Sequence, residues 1–162
     1  RDVLGSRGLG DVYKRQVRGT SVMQGYYKMP KETEETLSDG WLHTGDLGYV
    51  DEDGYIYLTG RRKNLIITKN GENVSPEELE NALSVNHLIK EIIVRESEGV
   101  IEAEIFPDSE YAQNAGIADI RPALQELIDG YNVNAPAYKR IYSLRVRESE
   151  FEKTASRKIK RS

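Results

Sequence analysis

The apolar pattern is uneven along the chain. Residues 1–16 show neither a helical nor a strand period, and Gly5, Gly8 and Gly10 interrupt them between basic residues. They read as a flexible or foreign arm. From Val17 the pattern sharpens. Pro30 followed by KETEETL predicts a short helix with proline in its first turn and acids near its start. Ser38-Asp39-Gly40 ends that helix as a turn. Two runs, residues 47–50 and 55–59, flank Asp51-Glu52-Asp53-Gly54 and predict a hairpin. A second hairpin is predicted where residues 65–68 run into Asn70-Gly71. Between the two, Arg61-Arg62-Lys63 marks a candidate domain boundary.

Ser75-Pro76-Glu77-Glu78 reads as a capping box with proline at the first helical position. The helix it opens carries Leu79, Ala82 and Leu83 as an apolar stripe. Strands are predicted over residues 91–95 and 100–106. In the second, Ile101, Ala103 and Ile105 alternate with Glu102 and Glu104. A further amphipathic helix spans residues 120–128, with Leu124, Leu127 and Ile128 on one face, and a last strand covers 140–147. The chain closes on a basic stretch, residues 153–161. The second half therefore reads as α+β, a small sheet with helices packed on it.

Composition narrows this picture. The 162 residues suffice for one domain or two small ones, and 38% hydrophobic with 31% charged residues is not a disordered composition. A net charge of −4 argues against wholesale nucleic-acid binding. The absence of cysteine excludes disulfides, thiolate metal sites and a cysteine nucleophile, and it favours a cytoplasmic location. Apolar runs such as residues 65–67 and 92–94 are far too short to span a bilayer, and residues 1–16 lack the apolar core of a secretory signal. His43 and His87 have no metal-ligand spacing, so no metal site is expected.

Three charges invite a chemical reading, and residue type alone leaves each one open. Asp46, after Gly45 at the start of a strand, either caps a turn or offers two oxygens to vicinal hydroxyls such as those of a ribose. Arg61, after Gly60, is either a solvated surface charge or a donor to the same hydroxyls. Lys158 is either one charge of a solvated tail, or part of a patch for nucleic acid or anionic lipid. A third reading makes it a mobile cation between a substrate carboxylate and a phosphate.

The order of the motifs adds to these readings. GWLHTGDLGYVDEDGYIYLTGRRKN at 40–64, IITKNGENVSPEELE at 66–80 and FEKTASRKIKR at 151–161 resemble successive motifs of the adenylate-forming superfamily. That superfamily comprises acyl-CoA synthetases, luciferases and peptide-synthetase adenylation domains. VRGTSVMQGYYK at 17–28 also fits, so the resemblance covers residues 17–162. With Tyr138-Lys139 and Lys158-Ile159-Lys160-Arg161, the chain looks most like the C-terminal part of a bacterial-type long-chain fatty acyl-CoA synthetase.

The resemblance implies a mixed-sheet lid domain over residues 63–162. Before it, residues 17–62 would be the last β-rich piece of a large N-terminal domain. It implies ATP-dependent formation of an acyl-adenylate, followed by transfer of the acyl group to coenzyme A. Asp46 and Arg61 would bind the ATP ribose, and Lys63 would be the hinge. Gly71 would let the pantetheine arm pass, and Lys158 would be the adenylation lysine. ATP, Mg2+ and coenzyme A are the implied cofactors and co-substrates, with Mg2+ held mainly by the N-terminal part. The implied partners are that N-terminal domain and a fatty acid; peripheral membrane contact and self-association through 17–62 are further expectations. The isolated chain is expected to be inactive. Three departures stand out. Arg157 replaces the usual glycine before the lysine, Asn64 replaces the usual aspartate after the hinge, and residues 1–16 match nothing in the family. Other readings are a non-catalytic binding or regulatory module of the same fold, another adenylate-forming enzyme such as an aryl-CoA ligase, and a binder of anionic surfaces through 153–161.

Overall fold

The computed structural model describes residues 13–161. They divide into two compact units, the first ending at Asn64 and the second beginning at Leu65.

The first unit is built on one long strand. The order is β1 (Tyr13–Val17), α1 (Pro30–Thr36), β2 (Leu37–Ser38), β3 (Trp41–Val50) and β4 (Ile56–Arg61). All three other strands pair antiparallel with β3, making a four-stranded sheet. The arm expected through Gln16 is therefore too long. Tyr13, Lys14, Gln16 and Val17 pair with Gly48, Leu47, His43 and Leu42, because β3 offers an open edge there. Residues 1–12 lie outside the described chain. The turn expected at Asp39-Gly40 is tighter than a helix stop. Both residues have positive φ, +51° and +78°, which is the two-residue turn whose twist suits a hairpin, and it joins β2 to β3. The β3–β4 hairpin forms as expected. At its end Tyr55 N–H donates to Asp51 Oδ1 at 2.8 Å. Self-association through 17–62 calls for exposed apolar residues there: Val22 and Met23 are half-buried and Tyr57 is exposed, but Leu47 is buried.

The second unit is α+β with a closed core. Its elements are β5 (Ile66–Ile67), β6 (Asn73–Val74), α2 (Pro76–Leu83), β7 (Ile89–Ser97), β8 (Val100–Pro107), α3 (Ser109–Asn114), α4 (Ile120–Asn134) and β9 (Ser143–Val146). β7 and β8 are antiparallel and β8 and β9 parallel, so the sheet is mixed. Val74, Leu79, Leu83, Ile92, Val94, Ile101, Ala103, Ile105, Leu124, Ile128 and Ile141 form one buried cluster.

Several local expectations give way to tertiary packing. In α2, Ala82 is exposed, and Glu80 takes the buried place beside Leu79 and Leu83. The Ser75 hydroxyl makes no helix-capping bond; it donates to Glu77 Oε2 at 3.1 Å. α3 was not anticipated, although Asp108 signals it by accepting from Tyr111 N–H at 2.9 Å as N-cap. α4 runs past Ile128 to Asn134, and the last strand is shorter than 140–147. Both faces of β8 are covered. Glu102 and Glu104 are buried under arginines: Arg95 lies 2.6 Å and Arg147 2.7 Å from Glu104, and Ser143 Oγ donates to Glu102 at 3.0 Å.

Candidate functional site

The candidate residues fall into two sets. Asp46 and Arg61 belong to the first unit, with Lys63 in the short 3-10 turn Arg62–Asn64 that ends it. Gly71 and Lys158 belong to the second.

Asp46 and Arg61 are brought together by strand register. They are paired positions of β3 and β4, and Arg61 Nε lies 3.0 Å from Asp46 Oδ1. Gly45, with φ +74°, supplies the left-handed backbone just before the acid, and Asp46 N–H donates to Thr44 Oγ1 at 3.1 Å. The carboxylate is thus oriented from its own backbone and from the neighbouring strand. Its second oxygen can still accept hydrogen bonds, and the guanidinium retains donors. Such a pair can chelate a diol. Whatever turn-capping role it has, Asp46 also pairs with Arg61 across the strands.

Gly71 sits at the exposed turn between β5 and β6. Its φ is +81°, its N–H donates to Thr68 O at 2.9 Å, and a Cβ there would meet open space. The backbone therefore needs glycine for conformation, and nothing of the second unit crowds it. Lys63 is exposed and stands one residue before the last of the first unit.

Lys158 is carried on a closed loop rather than a loose tail. Lys153 and Ile159 form an antiparallel bridge, Thr154 N–H donates to Lys158 O at 2.8 Å, and Lys158 N–H donates to Thr154 Oγ1 at 3.2 Å. Lys160 N–H closes the neck on Glu152 O at 2.8 Å. Arg157 at the apex has φ +62°, a left-handed conformation that glycine adopts freely. Apart from Arg157, the basic residues flanking Lys158 are spoken for. Lys153 lies 2.6 Å from Glu91 and 2.8 Å from Glu150, Lys160 lies 3.3 Å from Glu152, and Arg161 pairs with Glu80. The Lys158 ammonium is exposed, and among the described residues it has no acidic partner. A cation displayed this way is available to an anionic ligand.

Sequence reasoning missed Glu80 and Arg161. Burial raises the Glu80 carboxyl above its ordinary value of 4.5, against the opposing pull of the Val94 N–H and of Arg161. The available signal was a charged residue one place after Leu79, on the inward side of a short helix. Among the described residues, no group of three or more His, Asp or Glu is arranged to hold a metal ion, and no helix is long and apolar enough to cross a membrane.

Known proteins resemble this chain in sequence and in fold. Residues 63–162 match the model of a family described as AMP-binding enzyme C-terminal domain. The chain is 48% identical over 107 residues to a sulfoacetate–CoA ligase of Cupriavidus necator, covering 64% of this chain and 19% of that protein. It is 49% identical over 78 residues to a long-chain-fatty-acid–CoA ligase of Bacillus subtilis, covering 48% and 14%. Among solved structures, o-succinylbenzoate CoA synthetase from Bacillus subtilis, in complex with the acyl-adenylate intermediate, superposes with a TM-score of 0.76 at 29% identity. That match covers 93% of this chain and 29% of that one. The chain thus spans under a fifth of these curated relatives.

Proposed function

The chain belongs to the AMP-binding enzyme C-terminal domain family, and on that premise we propose that it serves as the C-terminal part of an ATP-dependent acid–CoA ligase. The observation that carries this reading is the display of Lys158 on a closed loop, its ammonium without an acidic partner among the described residues. In the first half-reaction a carboxylate oxygen attacks the α-phosphate of ATP, and the bond to pyrophosphate breaks. Lys158 stabilises the negative charge that builds there. Asp46 and Arg61 hold the ribose hydroxyls and fix the nucleotide. In the second half-reaction the thiol of coenzyme A attacks the acyl carbon and AMP leaves. Lys63, at the boundary of the two units, is the hinge by which Lys158 withdraws, and the Gly71 turn gives the pantetheine arm room. Mg2+ would be held mainly by the N-terminal part of the enzyme. The chain alone is inactive, and the cytoplasm is its compartment.

A fatty acid is the substrate this reading favours, supported by similarity to the Bacillus subtilis long-chain-fatty-acid–CoA ligase. The sulfoacetate–CoA ligase is as similar, so the substrate is decided by assay. Combining the chain with a complementary N-terminal fragment, ATP and either palmitate or sulfoacetate should release pyrophosphate with palmitate. Lys158→Ala should lower adenylate formation roughly 100- to 1,000-fold and spare thioester formation from supplied acyl-adenylate. Equal loss of both half-reactions would remove Lys158 from the adenylation step.

A further inference from the structure

Glu80 has no place in the reaction just described, yet its burial needs an explanation. α2 turns it inward beside Leu79 and Leu83, where it is only 8% exposed. A carboxylate in such a place is costly unless both oxygens are partnered. Both are. Oε1 accepts from the Val94 N–H at 2.7 Å, and Oε2 accepts from the Arg161 guanidinium. Arg161 also lies 3.8 Å from Glu77 of the same helix.

Arg161 is three residues past Lys158, and the bond from Lys160 N–H to Glu152 O closes the loop between them. The loop therefore has a shut neck, and the residue after that neck is tied to α2. We propose that Glu80 is a positioning residue for Lys158, holding through Arg161 the loop that presents the lysine. This rests on the reading of Lys158 as the adenylation lysine. The physical need is geometric. A loop without an anchor spreads the ammonium over many places, and misplacement by about 1 Å can cost about 100-fold in rate. Glu80 suits the task because its other oxygen is fixed to β7, the central core's own strand. The anchor point is thus as rigid as the sheet.

A merely structural Glu80 would satisfy Val94 and nothing more, and two substitutions separate the roles. Glu80→Gln keeps an acceptor for the Val94 N–H and puts an amide donor opposite Arg161. Arg161→Ala removes the far end without entering the core. In the full chain, each should speed amide hydrogen exchange at Lys158 and Lys160 about 10- to 100-fold, as expected for loss of a charge-assisted bond. The double variant should go no further, Arg161→Lys should recover part of the protection, and β7 should be unchanged. In the complemented enzyme, adenylate formation should fall about 10- to 100-fold, with thioester formation from supplied acyl-adenylate unaffected.

Faster exchange in β7 with none at Lys158 or Lys160 would reduce Glu80 to a structural acceptor. Unchanged loop exchange in Arg161→Ala would overturn the anchoring itself, whatever Lys158 does. Full adenylation in Lys158→Ala would instead overturn the functional reading on which the proposal stands. Full adenylation in Arg161→Ala, where Lys158→Ala abolishes it, would overturn the positioning role alone.

Discussion

The two units solve the problem of apolar surface differently. The second closes its own core: Leu79, Ile105 and Leu124 are fully buried, and even the buried acids Glu102 and Glu104 are covered by arginines. In the first, Leu47 is the one large apolar side chain among the described residues that is buried, while Tyr49, Val50, Tyr55, Ile56, Tyr57 and Leu58 of the β3–β4 hairpin are exposed. Burial of apolar surface is the main favourable term in folding. The second unit therefore carries the means of its own stability. The first is a sheet ordered mainly by its hydrogen-bond ladder, with a face suited to further burial. The charged site residues follow the same division. Asp46 and Arg61 are placed by strand register and the local backbone at Gly45, whereas Lys158 is placed by a loop anchored to a core.

The largest expected effect tests that division directly. Leu79→Ala removes a fully buried side chain from the second unit and should cost about 2–5 kcal/mol there. Trp41, the only tryptophan, lies in β3 and reports on the first unit, while α2 and α4 dominate the helical circular dichroism. In denaturant titration the helical transition should move to lower denaturant, and the tryptophan transition should stay. Joint movement of both would break the comparison, because it would mean that the first unit borrows its stability from the second.

The sequence revealed the local features and missed those made by distant residues. Turn chemistry placed both hairpins, and proline with acids placed α1 and α2. The ordered motifs pointed to Asp46, Arg61, Gly71 and Lys158, and register then joined the first two at 3.0 Å. The alternation of Glu102 and Glu104 with apolar residues showed a strand and left open what covers the acids. The cover comes from Arg95 of β7 and Arg147 just past β9, and nothing local shows their approach. Glu80 was missed for the same reason, since its partners Val94 and Arg161 lie 14 and 81 residues away. Strand β1 lacked a period because its pairing with β3 is broken by an irregularity between Lys14 and Gln16.

A second prediction concerns the open hairpin of the first unit. Tyr57 and Leu58 are 46% and 64% exposed, and Tyr57 stacks on Tyr49 with ring centroids 5.0 Å apart. The isolated chain is expected to self-associate through this hairpin, whose Tyr57 and Leu58 lie on opposite faces of β4. Replacing Tyr57 with Ser and Leu58 with Lys should weaken association roughly 10- to 100-fold, since two side chains that each bury only part of their surface lose about 1.5–3 kcal/mol in total. Sedimentation of the two proteins measures it. The helical transition of the second unit should not move. A monomeric parent chain at high concentration would show that the first unit manages its exposed hairpin without a partner, and the contrast between the units would narrow.

The smallest effect lies where the second unit is least self-sufficient, at the apex of the Lys158 loop. Arg157 holds φ +62°, which costs an L-residue about 1–2 kcal/mol. Glycine would relieve that strain but add unfolded-state freedom worth about 0.5–1 kcal/mol. The two partly cancel, so Arg157→Gly should stabilise the loop by about 0.5–1 kcal/mol. Amide exchange at Lys158 and Lys160 should slow by roughly 2- to 5-fold. Arg157→Ala is the necessary partner experiment: it removes the same charge and keeps the Cβ, so it should give no protection. Equal slowing in both variants would trace the effect to charge and leave the left-handed backbone at Arg157 without an energetic consequence. Slowing in glycine alone would mean that this position carries a backbone requirement, and that this chain meets it under strain.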